Sequence, residues 1–219
     1  MDVTAASTLF AWLDREIWLV TAQADGRRGG LIATFVNQAT IVPDLPRMLV
    51  GLARQHHTWE LVERSNAFAL HLLGEQHLDW IWHFGLQSGR GRDKLDGLRI
   101  LQQNTGSPVL EDAIGWLDCR VEARLETGDR TIYLAEVARA GVTTHFAPPL
   151  TARRLSQLAP PAQLAEMKRQ WHRDSDIDAD AIHRWRLSVR PPDGAAGAAL
   201  PPAPPDSGTA PSTTTPSPD

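Results

Sequence analysis

Few side chains in this sequence stand at spacings that could do chemistry. His56 and His57 are adjacent, while His77 and His83 are six apart, on different faces of one helix. Neither pair has an acidic residue at a useful offset, and there is no His-Glu-x-x-His, so a metal centre is not expected. The single cysteine, Cys119, excludes an internal disulfide framework. It falls on the apolar side of an alternating segment, where a thiol is a small core residue rather than a nucleophile. Neither a Gly-x-Gly-x-x-Gly turn nor a Gly-x-x-x-x-Gly-Lys-Ser/Thr loop is present, so any dinucleotide is held without a Rossmann unit. The run Ser88-Gly89-Arg90-Gly91-Arg92 is basic and glycine-rich. It precedes no clear strand or helix and reads as a flexible loop rather than a phosphate cradle.

Two segments hold the remaining candidates. Ala33-Thr34-Phe35-Val36-Asn37-Gln38-Ala39-Thr40 mixes small residues, hydroxyls and amides in an extended stretch. Small side chains let a flat ligand approach the backbone, whose polar groups can meet ring edges. Ala53-Arg54-Gln55-His56-His57-Thr58 joins a strand to a helix start. A guanidinium, free amides and a hydroxyl there form a phosphate seat. An ordinary polar loop with Thr58 as N-cap fits the same residues equally well.

The elements that must position these groups are mostly strands. Ile17–Ala22, Leu31–Val42, Met48–Ala53 and Phe68–Leu73 are β-rich runs bounded by turn residues. From Leu117 to Glu126, apolar Leu117, Cys119, Val121, Ala123 and Leu125 alternate with charged residues, predicting one buried and one wet face. Thr127-Gly128-Asp129 then turns the chain into Thr131–Val137. Short helices are expected over 4–15, over Thr58–Arg64 and over Gln76–Phe84. Six strands without long intervening helices predict a mainly β protein, a small closed antiparallel barrel with short helical insertions. Beyond it lies a C-terminal helical appendix, with one short helix around Leu155, a second from Pro161 and a third from Asp178 to Ser188. The domains read as 1–145 for the barrel, 146–190 for the helical extension, and 191–219 for a disordered Pro/Ala-rich tail.

Composition excludes several classes. The 219 residues are 42% apolar, with a formal net charge of −4. That permits a sizeable core and argues against a polybasic nucleic-acid or membrane-surface binder. No targeting or spanning segment is visible, and the expected location is cytoplasmic.

Over residues 9–140 the order of motifs resembles the flavin reductase-like family of FMN-binding split barrels. Trp18–Ala22 with Asp25-Gly26 looks like its opening strand and turn, Gly30–Ala39 like its flavin-lining strand, and Pro43–Arg54 like the following loop and strand. Thr58-Trp59-Glu60-Leu61 resembles the helix start on the phosphate side, and Phe68–Leu73 the F-x-V-N-V-L strand. His83-Phe84 and Asp93-Lys94-Leu95 are similar to a helix end and a D-K-F element. Gly106–Ala113 followed by Leu117–Val121 is similar to G-x-P-x-L-x-x-A … L-x-C-x-V.

The resemblance implies a homodimer with FMN, or FAD, at the interface, NADH or NADPH as co-substrate, and a monooxygenase or other electron-accepting partner. Carried over by position, Ala33, Thr34, Asn37, Gln38 and Ala39 line the flavin, Arg54, His57 and Thr58 hold its phosphate, and Phe84 and Lys94 sit at the rim. Where the family usually reads G-D-H, this chain has Gly128-Asp129-Arg130. Arg130 takes the position of the histidine near the flavin and cannot shuttle a proton as histidine can. That departure keeps open an FMN-binding electron-transfer or oxidase-like module without its own NAD(P)H step, and the Pro-rich tail keeps open a barrel used for protein interaction.

Overall fold

The first apolar run forms β1 (Trp18–Ala24), and Asp25-Gly26, both at positive φ (51° and 72°), turn it back into β2 (Arg27–Ala33). Two residues, Thr34 and Phe35, link β2 to β3 (Val36–Gln38), which is followed by β4 (Arg47–Ala53), α2 (His57–Ser65) and β5 (Ala67–Leu72). The label α1 belongs to the N-terminal helix, Val3–Trp12. A 3₁₀ turn (Glu75–His77) leads into α3 (Leu78–Gly85), and the short β6 (Leu101–Gln102) and β7 (Pro108–Val109) pair beside the main sheet. The long hairpin β8 (Gly115–Glu126) and β9 (Arg130–Val142) follows, then α4 (Ala152–Leu158) and α5 (Pro161–Val189). The computed structural model describes residues 3–143 and 147–189, so the predicted tail lies outside the described residues.

Seven strands form one antiparallel sheet in the order β2-β1-β5-β8-β9-β4-β3. Among the described residues no ladder joins β2 to β3, so the sheet is curled but open, not the closed barrel expected. The reason lies in the chain: both edge strands belong to one segment that bends at Thr34-Phe35. They leave in opposite registers, Ala33 opposite Trp18 and Val36 opposite Val50. The single run Leu31–Val42 read from sequence is therefore split between two edges.

One core cluster, with Val20, Val50, Phe68, Leu70, Cys119 and Tyr133 fully buried, fills the inside of the curl. A second, with Leu19, Leu73, Phe84, Leu95 and Leu110, lies under α3 and α4. Alternation along β8 holds only over Cys119–Glu122, and Asp118, expected on the wet face, is fully buried. Cys119 is fully buried, but Leu125 is 61% exposed, because the hairpin tip projects past the core. Register shifts at Asp118/Cys119 and Val121/Ala123 mark bulges that bend the strand.

The appendix is one short helix and one long one, since nothing between Met167 and Asp178 is a glycine or proline that would break α5. Thr151 caps α4 by accepting from the Arg154 amide at 3.3 Å. The segment before it is stitched to the sheet through Ile17 N–H to Leu150 O (2.8 Å) and Leu150 N–H to Leu73 O (2.7 Å). None of the 29 residues of α5 is fully buried. At Gly128, with φ 94°, a Cβ would come within 2.5 Å of Trp185 on α5, so only glycine admits both the turn and the helix. No helix among the described residues is long and apolar enough to cross a membrane.

Candidate functional site

A groove runs along β2 in two chambers of about 520 and 410 Å³. Leu31, Ile32, Gln55, His56 and Asp174 line both, so the chambers are continuous. Together they lie in the size range of small-molecule sites. β2 forms the floor, the loop from β4 to α2 one wall, the end of α3 another, and α5 the roof.

At the smaller chamber β2 carries two glycines, Gly29 and Gly30, tightly packed by their neighbours. A Cβ on Gly30 would approach the Phe84 ring at 3.0 Å and Leu19 at 3.2 Å, and one on Gly29 would approach Leu61 at 3.2 Å. The pair lets α2 and α3 close onto the strand. Phe84 is buried in the second core cluster and serves as floor rather than rim. Lys94 is only 3% exposed, and its Nζ donates to the carbonyls of Phe84 (2.7 Å) and Gly30 (3.2 Å). Burial, aided by the charge of Arg92, pushes its ammonium down to about 8, so it is still charged at neutral pH.

His57 and Thr58 line the same chamber. Thr58 is not the N-cap, as one sequence reading had it. His56 holds that place without a side-chain bond, and Thr58 is buried in the first turn. Its hydroxyl makes no hydrogen bond among the described residues and is free for a ligand. His57 Nδ1 lies 3.2 Å from Glu60 Oε2, which fixes the ring.

The larger chamber holds Ala33, Thr34 and Arg130. Arg130 is fully engaged. Its Nε donates to Asp129, its Nη2 donates to Asp178 on α5 at 2.7 Å, and its guanidinium lies 4.5 Å from the centre of the Phe35 ring. Asp178 also accepts from Gln55 Nε2 at 3.2 Å. Burial holds the Asp178 carboxyl above its usual range despite the Gln55 bond and the Arg130 charge. The same burial lowers His56, which favours its neutral form although Asp174 and Asp178 pull the other way. Trp171, Asp174, Asp178 and Ile182 reach the groove from one stripe of α5.

Thus Ala33, Thr34, His57, Thr58, Phe84, Lys94 and Arg130 share one groove, whereas Asn37, Gln38, Ala39 and Arg54 do not enter it. Past the bend at Thr34-Phe35, Asn37 and Gln38 pair with β4 and line a separate recess with Trp18, Pro43 and Met48. Ala39 is tied to Arg47 O through its amide at 2.9 Å. Arg54 turns toward Glu126 (3.5 Å) and lies over the Trp59 ring at 5.3 Å. Sequence reasoning missed Phe35, Gln55 and His56 as groove residues, and the whole contribution of α5. The first three adjoin residues already singled out. The α5 residues carried only a helical stripe, which marks a packed face and not what it packs on.

His71, His77 and His83 are structural. Leu110 N–H donates to His71 Nε2 (2.9 Å), so Nδ1 carries the proton and donates to Leu19 O (3.0 Å). Burial pushes His71 down to about 4, outweighing that bond. His77 accepts from the Gly74 amide (2.9 Å) and reaches Asp112 O (2.8 Å), and His83 reaches Lys94 O (2.7 Å). Cys119 is fully buried, and burial followed by the Asp118 charge pushes its thiol far up.

The fold and groove define a small β-sheet protein built round an open cleft with a helical roof. Residues 11–157 match the model of the flavin reductase like domain, and the chain belongs to that family. It is 29% identical over 144 residues to a ferric-chelate reductase (NAD(P)H) of Archaeoglobus fulgidus, covering 65% of this chain and 82% of that protein. It is 29% identical over 127 residues to diflavin flavoprotein A 1 of Synechocystis, covering 58% of this chain and 22% of the other. The chain therefore spans about a fifth of the length of the diflavin proteins it matches. A flavin reductase domain protein from Arthrobacter superimposes with a TM-score of 0.59 at 21% identity, over 69% of this chain and 91% of that one, a likeness of fold.

Proposed function

We propose that the groove along β2 binds a flavin, FMN or FAD, and that the chain is an NAD(P)H-dependent oxidoreductase of the flavin reductase type. The observation that carries the reading is the continuous groove with its polar ends reversed. Lys94, His57, the free Thr58 hydroxyl and the first turn of α2 gather at one end, where a phosphate is stabilised. The wider end, with Ala33, Thr34 and the Phe35 ring, suits a flat ring system. The family membership and the NAD(P)H named for the Archaeoglobus relative support the same reading.

When bound, the flavin supplies hydride acceptance from a reduced nicotinamide, chemistry outside the reach of amino-acid side chains. The chain's residues hold and orient. Lys94 presents a charge fixed by two carbonyls, the Gly29-Gly30 pair keeps α2 and α3 tight against the strand, and Arg130 is a positive charge pinned by two carboxylates that moves no proton. Exposed apolar groups support a homodimer: Leu9 and Trp12 on α1 with Leu13 just after it, and Ile41 (95% exposed) and Leu45 beside the Asn37 recess. A cytoplasmic location and a monooxygenase or similar electron acceptor complete the proposal.

The test is to add FMN or FAD to the purified protein and follow the flavin spectrum, then add NADH or NADPH without oxygen. A retained chromophore that bleaches is the expected result. Protein that leaves both flavins unbound overturns the reading. The engagement of Arg130 with Asp178, under the roof formed by α5, favours a second reading: a flavin-binding module reduced by another protein. Bound flavin that neither nicotinamide bleaches selects it.

A further inference from the structure

The glycine-rich basic run that the sequence left as a loop meets the β1–β2 hairpin. Arg27 and Arg28 from the hairpin, with Arg90 and Arg92 from the run, line a recess of about 260 Å³. His57 and Gly89 line both this recess and the smaller chamber of the groove, so the two adjoin.

The four guanidinium groups are unequally committed. Arg28 Nε donates to Asp93 at 2.6 Å. Arg90 pairs with Glu60 and donates to Gln55 O at 3.0 Å. Arg27 reaches only the Arg90 carbonyl, at 3.3 Å, and Arg92 has no hydrogen-bond or ion-pair partner among the described residues. Among the described residues Asp93 is the only acid lining the recess. Two positive charges are thus left uncompensated beside two others, an arrangement that costs energy until an anion arrives. The excess is felt nearby, since Arg92 helps to depress Lys94. The larger chamber carries Asp129 and Asp178 against Arg130, while Asp174 lines both chambers, so an elongated anionic ligand is favoured with its phosphates toward the arginines.

We infer that this arginine recess binds a second phosphate, beyond the one seated by Thr58 and Lys94, as carried by an adenine dinucleotide. The direction of the ligand rests on the flavin reading above. Two sources share the chemistry: the adenylate phosphate of FAD, and the 2′-phosphate that distinguishes NADPH from NADH. A guanidinium pair meets either through charge-assisted, bidentate hydrogen bonds.

Apo-protein is titrated with FMN, FAD, NAD⁺ and NADP⁺ at low and high salt, followed by tryptophan fluorescence, and compared with the Arg27→Gln/Arg92→Gln variant. Both side chains are exposed, so the variant folds, and an unchanged melting temperature checks this. FAD is expected to bind roughly tenfold more tightly than FMN. The variant should erase that advantage while FMN stays within about twofold, and high salt should shrink the gap. If FAD shows no advantage but NADP⁺ beats NAD⁺ in an arginine-dependent way, the phosphate is the nicotinamide partner's. If neither dinucleotide gains from the arginines, the inference is overturned, even with FMN bound. If no flavin binds at all, the flavin reading fails, and the NADP⁺ arm still decides the recess.

Discussion

Lys94 offers a sharp test of whether its ammonium is held in the groove floor as described. Its folded-state value is about 8 against 10.5 for an unburied lysine. Between those values the unfolded chain binds a proton that the folded chain has lost, so stability rises with pH across the window. A displacement of that size is worth about 3 kcal/mol. Lys94→Met removes the titration and keeps the length of the side chain. It also removes donors to the Phe84 and Gly30 carbonyls, each charge-assisted bond being worth about 1.5–3 kcal/mol, so the offset between the two proteins is not diagnostic. The slope is. Urea unfolding followed by tryptophan fluorescence at several pH values from about 7.5 to 10.5 gives both curves. Cys119 and Tyr133, both raised by burial, push the other way, because the unfolded chain ionises them first. They are common to both proteins and cancel in the difference. Wild type should gain about 3 kcal/mol on the variant across the window. Parallel curves would refute the burial argument for Lys94.

Other consequences are open to simpler assays. His71 is pushed down to about 4 from 6.5, so stability present above pH 6.5 should be lost as pH falls toward 4, by about 3 kcal/mol; a urea midpoint flat through that range contradicts its burial as a neutral ring. Cys119 should react with an aromatic disulfide reagent only as fast as the chain unfolds, and rapid native labelling counts against the core described. Gly30→Val should cost about 1–3 kcal/mol and weaken flavin binding, because the added carbons meet Phe84; an unchanged melting temperature would show that the floor is looser than drawn. Asp178→Asn removes the charge facing Arg130 and should expose α5 to limited proteolysis, so an unaltered digestion rate means the ion pair does not hold the helix.

What could be read from sequence was local. The hairpin at Thr127-Gly128-Asp129 and the burial of Cys119 follow from alternation and turn chemistry within a dozen residues. The bend at Thr34-Phe35 does not, because nothing in those two side chains forces it. It arises from the need of one segment to serve both edges of a curled sheet. That single bend removes Asn37, Gln38 and Ala39 from the groove. Arg54 lies outside the groove for another reason: a guanidinium next to a helix start has several partners within reach, and here it turns to Glu126 and Trp59. The span of α5 was legible in principle, since no breaker interrupts it. Its place over β2 is a tertiary fact that no periodicity carries.

Charge along the groove joins these observations. The sheet alone would leave β2 as an exposed edge, with backbone donors and acceptors open to any passing strand. Here α2, α3 and α5 close over it, and each brings charge. The loop after α3 brings Lys94 and α2 its first-turn amides, while α5 brings Asp174 and Asp178 together with Arg173. Polar contacts such as Arg130–Asp178 and Gln55–Asp178 help to hold this helix, which has no fully buried residue, and the ionic ones weaken as salt rises. The carboxylates of α5 that close the roof therefore also repel an anion lodged at the wrong end. The same residues that fasten the helix give the cleft its direction, and a substitution that loosens one should blur the other.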